Sequence, residues 1–370
     1  MKTLLVGIGA AGNKAVMEAV ELGAVEEKDT IIINSTSKDF PKKYDGKKIV
    51  ISPSDSGCGK ERSIAKDYAI SAIKAGKLNI DEVNQYATVI VCTSVEGGTG
   101  SGSTPIIAKF FNQVYKKNVH VIAFTGFEED VRGLMNTVEF FQEIDDKLIV
   151  QTIKNSAFIT LAGGNKYRAE ELANKEMCRR IRILTGQDLI ASNQNIDDTD
   201  ILKLSNTSGY MTIERIDIPK PLVDIADFRK YTRRMLMEST SIVSDVPSAA
   251  RLGIVLNLDP VSQDAVDYLF GDIKSHYGVS FECFHHVQWD QTQGLYIAVI
   301  ASGMRMPLNE IKAVYERYKE SREKVNNSVD DFFRELQGLN ISNDDRKFDM
   351  IRPVERGISV SDFLSGLETK

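Results

Sequence analysis

Two glycine-rich stretches carry residues whose spacing could do chemistry. The first is GIGAAG at 7–12, with Asn13 following. It stands after a short apolar run and before a helical stretch. Gly7 and Gly9 permit a tight turn and close backbone approach, and Gly12 permits close packing at the helix start. The helix N-terminus then offers free N–H groups and a positive dipole to a phosphate. A plain strand–helix turn is the structural alternative. The second stretch is VEGGTGSGSTPIIA at 95–108, which sets Gly97, Gly98, Gly100 and Gly102 among Thr99, Ser101 and Ser103. Successive backbone N–H groups and hydroxyls in such a run can converge on one anion, at the N-terminus of a helix expected to begin near Thr104. It lacks the G-K-[ST] ending of a Walker loop. It lies between a buried-type strand and an apolar helix, which argues against a linker. A third stretch, NIDDTD at 195–200, gathers carboxylates; taken alone it reads as a solvated turn and a helix N-cap.

The elements that must position these residues alternate through the first half. Strands are expected at 2–6, 31–34, 48–52, 87–94, 119–126 and 156–163, with helices near 12–23, 61–76, 104–117 and 135–148. Such alternation predicts a doubly wound α/β sheet with a parallel core, whose ligands sit at the carboxyl ends of the strands. A dinucleotide-binding sheet would hold the ribose with an acidic residue at the end of its second strand. Here Asn34, Ser35 and Thr36 stand there, which counts against NAD. Residues 168–191 read as one long connecting helix. Beyond it, strands at 210–218, 252–258, 280–289 and 295–302 with helices at 225–240, 262–275 and 307–335 make a smaller α+β domain. The expected organisation is therefore a nucleotide-binding domain at 1–167, a central helix at 168–191, a loop and helix at 192–209, a second domain at 210–305, a C-terminal helix at 306–339 and a tail at 340–370, partly disordered with a short amphipathic segment at 360–367.

Composition narrows the function. The chain has 370 residues, 42% hydrophobic and 26% charged, the balance of a globular protein of two or three domains. The net charge of −6 gives no overall basic field, so direct nucleic-acid binding is not expected. No apolar run approaches the roughly 18 residues that span a bilayer. The four cysteines, Cys58, Cys92, Cys178 and Cys283, have no metal-ligand spacing and fit reduced thiols in the cytoplasm. His285 and His286 are neighbours on a strand and point to opposite faces, so they cannot chelate one metal well. Arg179, Arg180 and Arg182 on the long helix read as a solvated or phosphate-facing stripe, and Trp289 as core or interface.

GGTGSG resembles the signature of the tubulin/FtsZ superfamily, GGTG[ST]G after the fourth strand, and the likeness extends along most of the chain. It implies a tubulin/FtsZ-like fold that binds GTP or GDP with Mg²⁺. Gly9, Ala10, Ala11 and Asn13 match the first phosphate loop. Gly97, Gly98, Thr99, Gly100, Ser101 and Gly102 match the second. SGCGKER at 56–62, with Gly59 and Lys60, loosely resembles the loop that approaches the γ-phosphate. FTGFEEDVR at 124–132 resembles the ribose loop, with Glu128 and Arg132 at its contact positions and Glu129 where the family has glycine. Asn174 falls where the family places an amide that reads guanine. Asn195, Asp197 and Asp200 match the N-x-D-x-x-D loop, which in this family enters the next subunit's nucleotide pocket and positions the attacking water. Asp198 is then the solvated member of that loop.

The resemblance thus implies a GTPase that assembles head-to-tail, since a heterologous interface that does not close makes filaments. The tail VSDFLSGLETK bears only a faint DFL likeness to the terminal peptide of cell-division FtsZ, and tubulin is longer with an acidic tail. The features fit best the TubZ-like class of plasmids and phages, which moves DNA through a separate DNA-binding adaptor, here expected at the C-terminal tail. The alternatives are an FtsZ-type division GTPase and a non-polymerising Rossmann dinucleotide-binding protein.

Overall fold

The computed structural model describes residues 2–128, 130–187, 198–219, 225–244, 248–258, 265–278, 280–288 and 294–338. The first half runs β1 (Thr3–Ile8), α1 (Gly9–Glu21), β2 (Thr30–Asn34), β3 (Lys47–Val50), α2 (Arg62–Lys74), β4 (Thr88–Ser94), α3 (Thr99–Gln113), β5 (Asn118–Thr125), α4 (Val131–Glu143) and β6 (Ile149–Lys154). Then come α5 (Lys166–Leu184), α6 (Asp198–Ser205), β7 (Gly209–Ile218), α7 (Ile225–Met237), β8 (Arg251–Asn257), α8 (Val266–Tyr277), β9 (Glu282–Gln288), β10 (Leu295–Met304) and α9 (Leu308–Gly338). Two compact units divide the chain, Met1–Arg322 and Glu323–Lys370. The second is described as far as residue 338, as the end of α9. The tail at 340–370, with its short amphipathic segment, lies outside the described residues.

The strands form one sheet in the order β3-β2-β1-β4-β5-β6-β7-β10-β8-β9. From β3 to β6 every neighbouring pair is parallel. β10 then runs antiparallel to both β7 and β8, and β9 closes the edge parallel to β8. The sheet passes from β6 to β7 through two register pairs, Ile149 with Gly209 and Val150 with Tyr210.

The parallel strands are apolar on both faces because helices cover both. Alternation along each strand divides their residues between two cores. Leu4, Val6, Ile31, Ile33, Val89, Val91, Val119 and Val121 pack with Ala69 of α2, Phe111 of α3 and Phe140 of α4. Leu5, Ile32, Ile90, Cys92 and Ile122 pack with Val16 of α1 and Ala173 and Met177 of α5. The helix after β1 therefore covers one face and the helix after β4 covers the other. β1 and β4 are neighbours, so the chain changes direction between them and a crevice opens at their carboxyl ends. Open α/β sheets bind ligands at this switch point.

Two expectations are corrected. The strand expected at 156–163 is not a strand. β6 precedes it at Ile149–Lys154, where the helix at 135–148 was expected to end, and Asn155–Phe158 forms a 3-10 helix. Phe158 and Ala162 are buried while Ala157, Thr160 and Leu161 are exposed, a spacing of four that suits a helical turn and not a strand. The helix expected from Thr104 begins at Thr99, so much of the second glycine run is helical. Cys58, Cys92 and Cys178 are buried free thiols and Cys283 is an exposed one. Among the described residues no helix is long and apolar enough to cross a membrane.

Candidate functional site

Both glycine loops reach the crevice, and contact between them explains their glycines. Gly9 has φ +76°, and a Cβ there would stand 3.0 Å from the Gly100 nitrogen. A Cβ on Gly100 would stand 2.5 Å from Thr93 Oγ1 and 3.2 Å from the Ile8 carbonyl oxygen. A Cβ on Gly12 would lie 2.2 Å from the carbonyl oxygen of Cys92, so α1 crosses β4 with no room for a side chain. Backbone thus packs on backbone, and the N-termini of α1 and α3 open side by side. Neither helix has a side-chain cap or an acidic residue in its first turn. Their first N–H groups have no intrahelical acceptor, so they present two uncapped positive ends. Ala10 and Ala11 are exposed in the first turn of α1, and Gly97 has open space at its Cβ position.

Not every expected contact faces the crevice. Asn13 is fully buried, and the surrounding network orients its amide to donate to the carbonyl oxygens of Gly7 at 2.9 Å and Gly9 at 3.3 Å. It braces the first loop from behind. The hydroxyls of Ser101 and Ser103, expected to turn toward an anion, instead bond back to the carbonyls of Gly97 and Thr99 one helical turn earlier. Thr99 remains at the rim, with Oγ1 2.9 Å from Ser35 Oγ and 3.5 Å from Cys58 Sγ. The end of β2 thus meets the second glycine loop, and Asn34 accepts from the Ser35 N–H at 2.8 Å.

The loop at 56–62 joins the same wall. Gly59 and Lys60 both take positive φ, at 55° and 65°. A Cβ on Gly98 would stand 2.8 Å from the Lys60 Cα. Lys60 pairs with Asp130, the N-cap of α4, which also accepts from the Gly133 N–H at 2.8 Å. Burial alone would raise the Asp130 carboxyl, but the Lys60 ammonium and the Gly133 N–H outweigh it and hold it below the usual carboxylate range. Arg62 closes the loop as a buried strut. It binds Glu139 and Glu143 of α4, each at 2.8 Å, and donates to the Ser101 carbonyl at 3.0 Å. That carbonyl has no intrahelical partner because Pro105, four residues on, carries no N–H.

The third wall is the β5–α4 loop. Glu128 takes φ +56°, and its N–H donates to Glu96 Oε1 at 3.0 Å. Glu96 lies across Gly126, where a Cβ would come 2.0 Å from its Oε2. Burial pushes the Glu96 carboxyl above its ordinary range, with the Glu128 N–H opposing. The Glu128 carboxylate is held from α9 by Arg317, Nε to Oε2 at 2.7 Å and Nη2 to Oε1 at 2.9 Å. Arg132 is half-exposed and pairs with Glu61 at 2.7 Å.

Asn174 on α5 is half-buried and lines a cavity of about 420 Å³ between α1, α5 and residues 41–43, together with Lys14, Glu18, Tyr167 and Glu171. Asp200 is the third residue of α6 and half-buried. Asn195 and Asp197 lie outside the described residues, and of Asp198 the structure gives only that it begins α6.

Sequence reasoning missed several residues. Buried Asn136 donates to the carbonyls of Glu96 at 3.0 Å and Lys60 at 3.1 Å, tying two loops together. It carries no spacing signal; an asparagine on a buried helix face is its only mark. Asn155, directly after β6, has a buried amide oxygen with no hydrogen-bond partner among the described residues. Arg180, placed by sequence in a solvated or phosphate-facing stripe, is fully buried and bonded to Glu176, Thr152, Thr240 and Ser241. His285 is exposed and His286 buried, as neighbours on a strand must be, and Trp289 lies outside the described residues.

A parallel sheet with two uncapped helix ends at one switch point is an arrangement suited to an anion. Residues 2–162 match the family model "Tubulin/FtsZ family, GTPase domain", and the chain has the tubulin/FtsZ fold. The Tubulin-like protein TubZ of Clostridium botulinum C phage is 26% identical over 243 residues, 64% of this chain and 64% of its own length. The cell division protein FtsZ 1 of Methanocaldococcus jannaschii is 23% identical over 223 residues, 57% of this chain and 58% of its own. The chain therefore matches just under two thirds of these relatives' length. Among solved structures, a GTPγS-bound protofilament of CetZ2 from Haloferax volcanii superposes with a TM-score of 0.71 at 19% identity, covering 88% of this chain and 100% of that one.

Proposed function

We propose that this protein binds and hydrolyses GTP and assembles head-to-tail into filaments. The observation that carries the reading is the convergence of the uncapped N-termini of α1 and α3, glycine against glycine, at the β1–β4 switch point. The N–H groups of residues 9–11 and 97–100 would cradle the phosphates, with Gly59 and Lys60 toward the γ-phosphate. Glu128 accepts from the ribose hydroxyls, with Arg132 beside it. The cavity holding Asn174 takes the base. An amide there suits guanine, whose edge offers both donors and an acceptor. Mg²⁺ would accompany the triphosphate. Among the described residues no group of three or more His, Cys, Asp or Glu could hold a metal, so phosphate oxygens and water would supply most of its ligands.

Hydrolysis needs an oriented water and little covalent chemistry from the protein. Asp200 and Asp197, with Asn195, would orient it in the pocket of the neighbouring subunit, so turnover requires contact between subunits. The likeness to a protofilament-forming CetZ2 and to TubZ supports this reading. We further infer a cytoplasmic role in moving plasmid or phage DNA. The net charge of −6 then calls for a separate basic adaptor, which we place at the tail. The FtsZ relative supports division as the second reading; DNA recovered with the filaments only when a small basic partner is present favours the first.

Light scattering and phosphate release test the core of the proposal. Scattering should require GTP, and turnover per subunit should rise with protein concentration. Asp200→Ala should bind GTP normally, hydrolyse it roughly 100-fold more slowly and leave long-lived filaments. Turnover independent of concentration would overturn the shared site.

A further inference from the structure

We propose that Arg317, on the C-terminal helix, is a positioning residue for the ribose of the bound nucleotide. It acts through Glu128, and so rests on the reading of Glu128 as the ribose contact.

The geometry is specific. Arg317 Nη2 donates to Glu128 Oε1 at 2.9 Å, its Nε stands 2.7 Å from Oε2 as a charge contact without hydrogen-bond alignment, and Nη2 is also 3.3 Å from Glu310 Oε1 on its own helix. The helix is seated for this. Val314 of α9 packs with Leu134 and Val138 of α4, with Tyr318 against them, so Arg317 is carried by an apolar contact that does not depend on the charges. Glu128 itself is held by its backbone, at φ +56° with its N–H on Glu96. A positive φ on a residue with a side chain costs energy and is kept where surrounding structure enforces it. The backbone at positive φ, the Glu96 bond and the Arg317 contact together favour one carboxylate orientation.

The chemistry that follows is selection of the sugar. A carboxylate has about four lone-pair sites. The Arg317 hydrogen bond uses one on Oε1, which leaves lone pairs on both oxygens for two hydroxyl donors. A carboxylate accepting from both ribose hydroxyls distinguishes ribose from 2′-deoxyribose, and the distinction is sharper when the acceptor cannot swing away to follow a single hydroxyl. Arg317 therefore sharpens preference for the ribonucleotide. It also links the nucleotide pocket to α9 through one ion pair.

The test compares GTP with 2′-deoxy-GTP on the full chain, by competition for binding and by kcat/KM for each. Glu128→Gln should reduce the preference for GTP roughly tenfold, by weakening a charged acceptor. Arg317→Met should reduce it roughly threefold to tenfold while Glu128 is intact, and Arg317→Lys should restore part of it, since lysine keeps the charge without the guanidinium's reach and planar geometry. A merely structural role for Arg317 would lower stability and weaken both nucleotides equally. Glu310→Gln, which leaves the Glu128 pair in place, provides a milder variant and should retain the preference. If Glu128→Gln abolishes the preference and Arg317→Met leaves it untouched, the positioning role is wrong. If neither Glu128→Gln nor Arg317→Met changes it, the reading of Glu128 fails first.

Discussion

His120 shows what burial does to one side chain. It lies fully buried in β5, and its Nδ1 has no hydrogen-bond partner among the described residues. Burial lowers its pKa from 6.5 to about 4, against a small opposing effect from Ser205. The folded chain therefore refuses a proton that the unfolded chain accepts between those values. Its contribution to stability is complete above pH 6.5 and is lost as pH falls toward 4, by roughly 1.4 kcal/mol per pH unit. Denaturant titrations at stepped pH should show this slope, and His120→Gln should flatten it. An unchanged slope in the variant would assign the acid sensitivity to other groups. His120 falls within the strand expected at 119–126, but the sequence gave no means of knowing that both sheet faces there are covered.

At the scale of elements, α1 and α3 behave alike because a glycine that another backbone touches stands at the start of each. Gly9 is the first residue of α1 and Gly98 is the N-cap of α3. Gly12 is the tighter case, with a Cys92 carbonyl 2.2 Å from where a Cβ would sit. Gly12→Ala must push α1 off β4, at a cost of about 3 kcal/mol. The midpoint of urea unfolding should fall accordingly, and nucleotide affinity should fall with it because the first phosphate loop moves with the helix. Gly23→Ala is the contrast. Nothing lies within 4 Å of its Cβ position, so its cost comes only from the backbone at φ +67°. If the two variants are equally stable, the close crossing of α1 over β4 is not what requires glycine. The GxGxxG spacing made Gly12 legible as a packing glycine. It did not reveal that the second run is helical from Thr99, because the four glycines there lower helix propensity while tertiary contact with Lys60 and Arg62 supports the turn.

Across the first unit, one buried network joins distant parts of the chain. Arg180 of α5 bonds Glu176 on its own helix, the Thr152 carbonyl of β6, and Thr240 and Ser241 beyond α7. Ser239 and Ser241 in turn donate to Glu214 of β7, whose carboxyl is pushed up by burial and drawn down by Arg180. Tyr210 of β7 lies 2.5 Å from Thr152 Oγ1 and donates to the Ile242 carbonyl. The β6–β7 step has only two register pairs, so this network adds polar ties across it. Arg180→Met should destabilise by about 3 kcal/mol, since it removes the charge that balances buried Glu214 and leaves Glu176 with Arg179 alone. Adding Glu176→Met should recover part of that loss, because removing both partners costs less than removing one. Chemical denaturation of the three proteins decides it; an additive double variant would show that the pair does not couple.

The strand–helix alternation, the doubly wound core and the two glycine loops that open helices were all legible in the sequence, because they rest on local physics. Apolar runs must be covered, and glycines cluster where backbones approach or turn. The resemblance carried by GGTGSG led to the same fold. What only the tertiary structure decided was where polar side chains point. Asn13 faces inward to brace a loop, Ser101 and Ser103 bond back to their own helix, and Arg180 leaves a supposed solvated or phosphate-facing stripe for the core. Asn136 and Arg317 hold loops more than 39 and 180 residues away in the chain. A polar side chain bonds to whichever complementary group the fold brings near it, and no spacing within its own segment records which group that will be.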